Sequence, residues 1–249
     1  MGMNPRLMRP TASGFNPKSI ATLAGWWDAS VTSSLDQIST GGTAVTADSD
    51  PVGRWADLSG NGRTLTQSTT NNRPVYKTGV LNGKPVIDFD GENDSMIASF
   101  TLAQPITYFL VYRFDATVTT GNPRVFDGAT GNSMSFFSST GSTVMGLFAG
   151  SSTDPLISMD QRTQFSVTEI QANGDSTAVR LNGASVGFLS SSNPGAGAPN
   201  GLRLGAFSQS SAFGNVSFAE VLIYSSIIAE SEARKVRSYL GKKYGIVVT

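Results

Sequence analysis

The sequence lacks two residue types completely, since none of its 249 residues is a cysteine or a histidine. The absence of cysteine excludes disulfides, thiolate metal sites, cysteine nucleophiles and iron–sulfur clusters. The absence of histidine excludes the Ser–His–Asp triad, imidazole general bases and almost every catalytic zinc site. The chemistry that remains is carboxylate chemistry, lysine chemistry and the binding of cations through oxygen ligands.

Charge is also scarce. Charged residues make up 14% of the chain, with 18 basic and 18 acidic residues and a formal net charge of zero. A nucleic-acid-binding domain usually carries a clear excess of cations, so the composition gives no support to a nucleic-acid partner. No stretch approaches the roughly 18 consecutive apolar residues of a membrane-spanning helix. At 39% hydrophobic residues the chain can still build a core.

The first 20 residues differ in composition from the rest, with three prolines, three cations and no acid. They lack the apolar run of a secretory signal peptide, so we expect synthesis in the cytoplasm and no export through that route. The prolines disfavour a helix and the polarity disfavours burial, which predicts an extended docking arm over residues 1–22. A disordered terminus fits equally well. Candidate partner-binding residues of the arm are Arg6, Leu7, Met8, Arg9, Phe15 and Lys18.

From residue 23 onward, frequent Asn-Gly and Gly-Asn pairs between short apolar runs predict β-hairpins and an all-β fold. The segment Ile106–Phe114 is apolar at successive positions, which is typical of a strand buried on both faces. The strand candidates are Pro85–Phe89, Ile106–Phe114, Phe165–Gln171, Ala178–Leu181, Gly201–Phe207 and Val216–Tyr224. Residues 23–249 are interpreted as a single domain.

One segment departs from the β pattern, the fifteen residues from Glu230 to Tyr244. Its apolar positions recur at steps of three, four and four, the spacing of one helical stripe. Acids at its start and lysines in its last turn suit the helix dipole. Gly245 then stands where a helix C-terminus favours glycine. The pattern predicts one amphipathic C-terminal helix lying against the sheets.

Several motifs in a fixed order carry a resemblance to a known superfamily. They read Leu23-Ala24-Gly25-Trp26-Trp27-Asp28-Ala29-Ser30, Trp55-Ala56-Asp57-Leu58-Ser59-Gly60-Asn61-Gly62, Gly83-Lys84-Pro85-Val86-Ile87-Asp88-Phe89-Asp90-Gly91, Leu202-Arg203-Leu204-Gly205 and Phe218-Ala219-Glu220-Val221-Leu222-Ile223-Tyr224. In this order they resemble the laminin-G/concanavalin-A-like jelly rolls. The resemblance implies two antiparallel sheets packed face to face, with carbohydrate recognition frequent among members. Ala229 departs from the pattern, because related sequences tend to place a Ser or Thr helix cap there.

The arm together with this jelly roll also resembles virion proteins of tailed bacteriophages. That resemblance implies a structural virion protein, specifically a capsid decoration or head-surface protein. The arm would hold it on the major capsid protein or another virion protein, as a homo-oligomer on the particle. The alternative is a carbohydrate-binding module of a tail fibre or cell-surface assembly, which would hold a host surface glycan.

Tryptophans are the candidate carbohydrate-binding residues, because their large flat rings suit stacking against sugars. Trp26 and Trp27 are adjacent, so in a strand they point to opposite faces and one of them is expected in the core. The other is a stacking platform, a residue packed under the arm or an interface anchor. Trp55 precedes an Asp- and Asn-rich turn, where a structural role competes with ligand binding.

The densest group of acids comprises Asp88, Asp90, Glu92 and Asp94. Calcium takes six to eight oxygen ligands, so this cluster is the candidate metal site, although the spacing is not that of an EF-hand. The alternative is a strand edge whose acids face water. No other cofactor is expected.

Catalysis is not predicted. A glycosidase needs two carboxylates flanking the bond that it cleaves. The five glutamates are scattered, at positions 92, 169, 220, 230 and 232. Glu220 lies on a late strand, and its same-face neighbours Phe218 and Leu222 supply no second acid.

Overall fold

The computed structural model describes residues 14–117, 120–131, 133–151, 156–189, 193–207 and 211–249. In these ranges the chain folds into two antiparallel β-sheets packed face to face, with one α-helix at the C-terminus. This confirms the predicted sandwich. Among the described residues no helix is long and apolar enough to cross a membrane.

Sheet A has the strand order β15-β14-β13-β8-β17-β6-β5, and β1 pairs with β17. Its strands are β1 (Leu23–Asp28), β5 (Val75–Leu81), β6 (Lys84–Asp90), β8 (Ile106–Phe114), β13 (Ser166–Ala172), β14 (Ala178–Leu181), β15 (Ala184–Val186) and β17 (Asn215–Tyr224).

Sheet B has the order β12-β11-β10-β9-β16-β7-β4-β3-β2. Its strands are β2 (Leu35–Asp36), β3 (Arg54–Trp55), β4 (Leu65–Thr66), β7 (Met96–Ser99), β9 (Arg124–Asp127), β10 (Ser135–Ser138), β11 (Val144–Phe148), β12 (Leu156–Asp160) and β16 (Gly201–Leu204).

Two of the predicted Asn-Gly turns close hairpins of sheet A. Asn82-Gly83 joins β5 to β6, and Asn182-Gly183 joins β14 to β15. All four residues adopt positive φ angles between 48° and 92°. A two-residue hairpin of type I′ requires positive φ at both central positions, which Asn and Gly tolerate best.

The main core lies between the sheets, and a second cluster lies outside sheet A. Strand β8 contributes to both: Tyr108, Leu110 and Tyr112 face sheet B, whereas Phe109 and Val111 face the helix. All five side chains are buried. The prediction that this strand is covered on both faces is therefore confirmed.

The cover on the outer face of sheet A is the helix α1 (Glu230–Tyr244). Its buried stripe, Ala233, Val236, Leu240 and Tyr244, packs against the second cluster, as its spacing predicts. Ala229 at the N-cap makes no side-chain capping bond, and Gly245 ends the helix with φ at 69°. The left-handed conformation favours glycine at that position.

The described end of the arm lies on the body of the protein. A short 3-10 helix, Pro17–Ser19, precedes β1, and Asn16 accepts a hydrogen bond from the Lys18 backbone N–H at 3.0 Å. Ile20 is buried in the cluster under α1, and the Phe15 ring lies 5.8 Å from the Tyr239 ring. Lys18 is exposed. The other arm candidates, Arg6, Leu7, Met8 and Arg9, lie outside the described residues.

Candidate functional site

Two of the three candidate tryptophans have no exposed surface. Trp27 and Trp55 lie in the core between the sheets, each with 0% of its surface exposed. The Trp27 indole N–H donates to the Arg63 carbonyl at 3.1 Å. A buried ring offers no face to a sugar, so the structure does not place these two residues where stacking can occur.

Trp26 points to the other face of β1, as the alternation of a strand requires. Its ring is half-buried beside α1, and its indole N–H donates to Glu220 Oε1 at 2.7 Å. This contact assigns Trp26 to the junction between sheet A and the helix.

Two of the four clustered acids, Asp90 and Asp94, hold one turn together with their carboxylates. Asp90 Oδ1 accepts the backbone N–H groups of Glu92, Asn93 and Asp94 at 2.8–3.3 Å. In return, Asp94 Oδ2 accepts the Asp90 N–H at 3.1 Å. Burial raises the pKa of Asp94 to about 7. Among the described residues no three acidic side chains are arranged to hold a metal ion, and calcium binding here stays a prediction.

Asp88 belongs to a different contact, on the outer face of sheet A. The Ser217 hydroxyl lies 2.9 Å from Asp88 Oδ1 and 2.5 Å from Asp115 Oδ2. A hydroxyl has one hydrogen, so it donates to only one of the two carboxylates at a time. Burial raises the pKa of Asp88 to about 6, and the nearby Asp115 carboxylate contributes to the increase.

Glu220 does face a second acid, contrary to the sequence-based expectation. The neighbouring strand supplies it, since Asp28 on β1 pairs in register with Glu220 on β17. Lys243 of α1 bridges the two carboxylates, with its Nζ 2.7 Å from Glu220 Oε2. The hydroxyls of Tyr239 and Tyr244 each donate to Glu220 at 2.9 Å.

This pair of acids is enclosed, with 3% of Asp28 and 1% of Glu220 exposed. Burial raises the pKa of Glu220, and the negative charge of Asp28 adds to the increase. The described residues leave no open cleft to the two carboxylates, so a glycosidic bond has no place between them. The cluster fastens α1 to sheet A.

A second ion-pair cluster fastens the other end of the same helix. Buried Arg237 contacts Glu169 of β13 and also Glu230, and Arg180 of β14 lies 3.3 Å from Glu169. Both clusters lie beneath α1, on sheet A. The charges of sheet B form a separate arrangement.

A row of side chains crosses the outer face of sheet B. The register pairs Asp127 with Arg203, Arg203 with Ile97, and Ile97 with Thr66. It continues from Thr66 to Arg54 and from Arg54 to Asp36. At the other end Ser135 pairs with Phe148 and lies beside Asp127. We call this set the cross-strand row: Phe148, Ser135, Asp127, Arg203, Ile97, Thr66, Arg54 and Asp36.

The row points away from the core, because the residues that alternate with it face inward. Leu204, Met96, Leu65 and Trp55 all belong to the core between the sheets. The pleat of a strand sends the intervening side chains to the outer face. The row therefore lies on the face of sheet B that is turned away from sheet A.

The row has a buried half and an open half. Ser135, Asp127 and Arg203 are buried, whereas Ile97, Thr66 and Arg54 are half-exposed. In the open half Arg54 Nη1 lies 2.7 Å from Asp36 Oδ2. The row thus offers a charged pair, a hydroxyl and an apolar side chain side by side.

Arg203 is the residue where the two halves meet. It is 5% exposed, its Nη2 donates to the Ala129 carbonyl at 2.9 Å, and its Nε has no hydrogen-bond partner among the described residues. Burial lowers the pKa of Arg203, and the paired carboxylate of Asp127 opposes that change. A buried donor without a partner is costly, and this Nε has no exposed surface of its own, so Arg203 closes the end of the row.

A stacked group of side chains supports the buried half of the row. The Arg124 guanidinium lies 4.5 Å from the centre of the Phe137 ring and 5.2 Å from that of Phe207. Its Nε lies 3.3 Å from Asp127 Oδ2. The Phe137 ring covers Gly146 so closely that a Cβ there would lie 2.6 Å from it. The Arg124 guanidinium, packed between these rings, therefore holds Asp127 from one side.

None of these row residues was a candidate in the sequence. The strands that carry them are short, and Asp127 and Arg203 lie far apart along the chain. The two signals available were an arginine in the middle of the apolar run Gly201–Leu204 and an aspartate after an apolar pair in Arg124–Asp127.

The sequence matches no protein-family model, and no curated protein matches it significantly. Solved structures do match its fold. A sialidase from Trypanosoma rangeli aligns with a TM-score of 0.59 and 11% identity over 92% of this chain. This chain spans 34% of that sialidase, about a third of its length.

Two further structures share the fold. Domain 4 of AbnA, an extracellular arabinanase from Geobacillus stearothermophilus solved in complex with arabinotriose, has a TM-score of 0.55 and 14% identity, covering 88% of this chain and 98% of that one. A structure of botulinum neurotoxin type C, whose cell entry depends on interaction with two ganglioside molecules, has a TM-score of 0.54 and 10% identity, covering 75% of this chain and 48% of that one. At these identities the comparisons show a common β-sandwich fold, consistent with the jelly-roll resemblance.

Proposed function

We propose that this chain is a non-catalytic carbohydrate-binding β-sandwich and that its binding surface is the cross-strand row. The observation that carries the proposal is the row itself, which sets Ile97 and Thr66 between the Asp127–Arg203 pair and the Asp36–Arg54 pair. Sugar rings combine hydroxyls that both donate and accept with apolar C–H faces. A surface of alternating donors, acceptors and apolar groups suits them.

The two charged pairs have distinct tasks in this proposal. Arg54 and Asp36 are half-exposed, so a ligand reaches them without moving the protein. Arg203 lies deeper and is only 5% exposed. A sugar lying across β3, β4 and β7 would contact Arg54, Thr66 and Ile97 and end beside Arg203 at the closed end of the row.

The structural comparisons support this proposal at the level of the fold. Domain 4 of AbnA matches over nearly its whole length, and its structure contains arabinotriose. Botulinum neurotoxin type C interacts with gangliosides, which carry sugars. The paired acids Asp28 and Glu220, which a hydrolase could use, are enclosed under α1 in this chain, which favours binding over catalysis.

A blocking substitution tests the location of the site. Ser99 is exposed and lies two residues from Ile97 on the same face of β7. Ser99→Trp should cover the open half of the row and leave the core unchanged. Ser185→Trp, on the exposed strand β15 of sheet A, makes the same change away from the row.

The measurement is a broad glycan array with the unmodified chain, followed by calorimetry with the best oligosaccharide, with and without calcium. We expect binding by the unmodified chain and by the Ser185→Trp variant, and at least tenfold weaker binding by the Ser99→Trp variant. Equal binding by both variants would show that the binding site does not lie on the open half of the row on sheet B. No binding to any glycan would refute the proposal.

A second candidate function is a structural virion protein of a tailed bacteriophage, a capsid decoration or head-surface protein. The observation that favours it is the attachment of the described end of the arm, where Phe15 and Ile20 pack in the cluster between sheet A and α1. Arg6, Leu7, Met8 and Arg9 would then contact the major capsid protein or another virion protein. Subunits docked in this way would form a homo-oligomer on the particle. The two functions are compatible.

Co-sedimentation with particles stripped of this protein tests the second function. The deletion should stop at residue 13, because removing residues 1–20 would also remove Pro17 and Ile20, which are buried in the body. Saturable binding by the full chain and none by the chain lacking residues 1–13 would support the tether. Equal binding by both chains would refute it.

A further inference from the structure

A groove runs between the described end of the arm and the outer side of α1. Its volume is about 680 Å³. Phe15 and Tyr239 supply its aromatic lining, and Arg234, Lys235 and Lys242 supply positive charge. We call it the α1 groove. It lies on the opposite side of the sandwich from the cross-strand row, so a ligand in the groove would bind independently of any carbohydrate on sheet B.

The groove has an uncompensated positive charge. Among the described residues no acidic side chain lines it. Arg234 is paired with Glu230 at 3.0 Å, and the Lys243 ammonium turns inward to Glu220 at 2.7 Å. Lys235 and Lys242 are exposed and form no ion pair with any described residue. Two lysines therefore remain free to bind an anionic partner.

The geometry of these lysines is fixed by the helix. They are seven residues apart, so they lie on one face about two turns, or roughly 10.5 Å, from each other. An extended chain advances about 3.3 Å per residue, so carboxylates about three residues apart would match that separation.

The aromatic floor between the lysines is preformed. The Phe15 and Tyr239 rings lie 5.8 Å apart, and both are half-buried. The Tyr239 hydroxyl donates to Glu220 at 2.9 Å, which holds the ring in place from below. A preorganised apolar surface favours a partner that brings an apolar side chain together with its charges.

We propose that the α1 groove binds an acidic, extended protein segment. Two of its carboxylates would pair with Lys235 and Lys242, and an apolar side chain between them would lie on Phe15 and Tyr239. This chain's own arm does not supply the matching charges, because its first 20 residues contain three cations and no acid. Two free lysines on a chain of zero net charge are too few for a nucleic-acid backbone.

The test measures the fluorescence anisotropy of a short fluorescein-labelled peptide, made of glutamate, leucine and phenylalanine, as the full chain is added to it. A peptide with lysine in place of glutamate is the control ligand. Replacing both groove lysines, Lys235→Gln with Lys242→Gln, should weaken binding about five- to tenfold, the effect of losing two exposed ion pairs. The matched control, Lys77→Gln with Lys84→Gln on the β5–β6 hairpin, should bind like the unmodified chain.

Three results would overturn the proposal. The first is equal affinity for the acidic and basic peptides, and the second is an equal loss of affinity in both double variants. The third is that the groove variant binds a heparin fragment more weakly while its affinity for the acidic peptide is unchanged, which would indicate that the groove binds a sulfated glycan. Ser99→Trp should leave peptide binding unaltered. The two proposals can therefore fail independently, because carbohydrate binding at sheet B and peptide binding at the α1 groove are measured with different variants.

Discussion

Lys243 on α1 and Glu220 on β17 form an ion pair of 2.7 Å inside the protein, and Asp28 of β1 contacts the same ammonium. One partly buried cation therefore neutralises two buried carboxylates that face each other across two strands. The pair links the last turn of the helix to the centre of sheet A.

Replacement of Lys243 by methionine should destabilise the protein by about 3–5 kcal/mol, because it leaves two buried carboxylates without a cation while keeping most of the packing. Urea unfolding measures the change. Lys242→Met, at an exposed neighbouring position, should change the free energy of unfolding by less than about 0.5 kcal/mol. Similar values for the two variants would contradict the assignment of Lys243 as the fastener of α1.

Asp94 should make stability depend on pH between about 4 and 7. Burial raises its pKa to about 7 in the folded protein, above the ordinary value of 3.8. The folded state then holds a proton that the unfolded state has lost, so this group's contribution to stability decreases as pH rises through that window.

Asp94→Asn should remove this contribution, since an amide does not titrate and still accepts the Asp90 N–H. Melting temperatures measured from pH 4 to 8 should therefore fall more steeply for the unmodified chain than for the variant. Parallel curves for the two proteins would show that Asp94 has an ordinary pKa.

Trp55→Ala should lower the free energy of unfolding by about 3–5 kcal/mol, because it removes the largest side chain type from a fully buried position.

Iodide quenching provides an independent check on the burial of the tryptophans. Trp26 should be the one accessible indole, so Trp26→Phe should abolish most of the quenching. Strong quenching that survives in the Trp26→Phe variant would place another tryptophan at the surface.

The parts of the fold that the sequence predicts are those with a long, consistent pattern. Strand β8 has nine residues that are nearly all apolar, and α1 repeats its apolar stripe over four turns. The Asn-Gly pairs locate hairpins because they match the backbone that a tight turn needs. By contrast, β9 and β10 of sheet B have four residues each, too few for a periodic signal.

The candidate site was far less predictable, because it depends on contacts between distant parts of the chain. Arg203 of β16 pairs in register with Asp127 of β9 and with Ile97 of β7, and both lie far from it along the chain. The row on sheet B takes one residue from each strand of that sheet except β12, and only strand order and register bring them into line. The adjacency of Trp26 and Trp27 in a strand predicted that one of them lies in the core, as Trp27 does, but nothing in the sequence showed that Trp55 does.

Carbohydrate binding at the cross-strand row is tested most directly by an NMR titration of the arginine Nε–H signals with the best oligosaccharide from the array. We expect the signals of Arg203 and Arg54 to shift together and saturate, while that of Arg234 on α1 stays in place. A shift confined to Arg234 and its neighbours, with Arg203 and Arg54 unchanged, would contradict carbohydrate binding at this row.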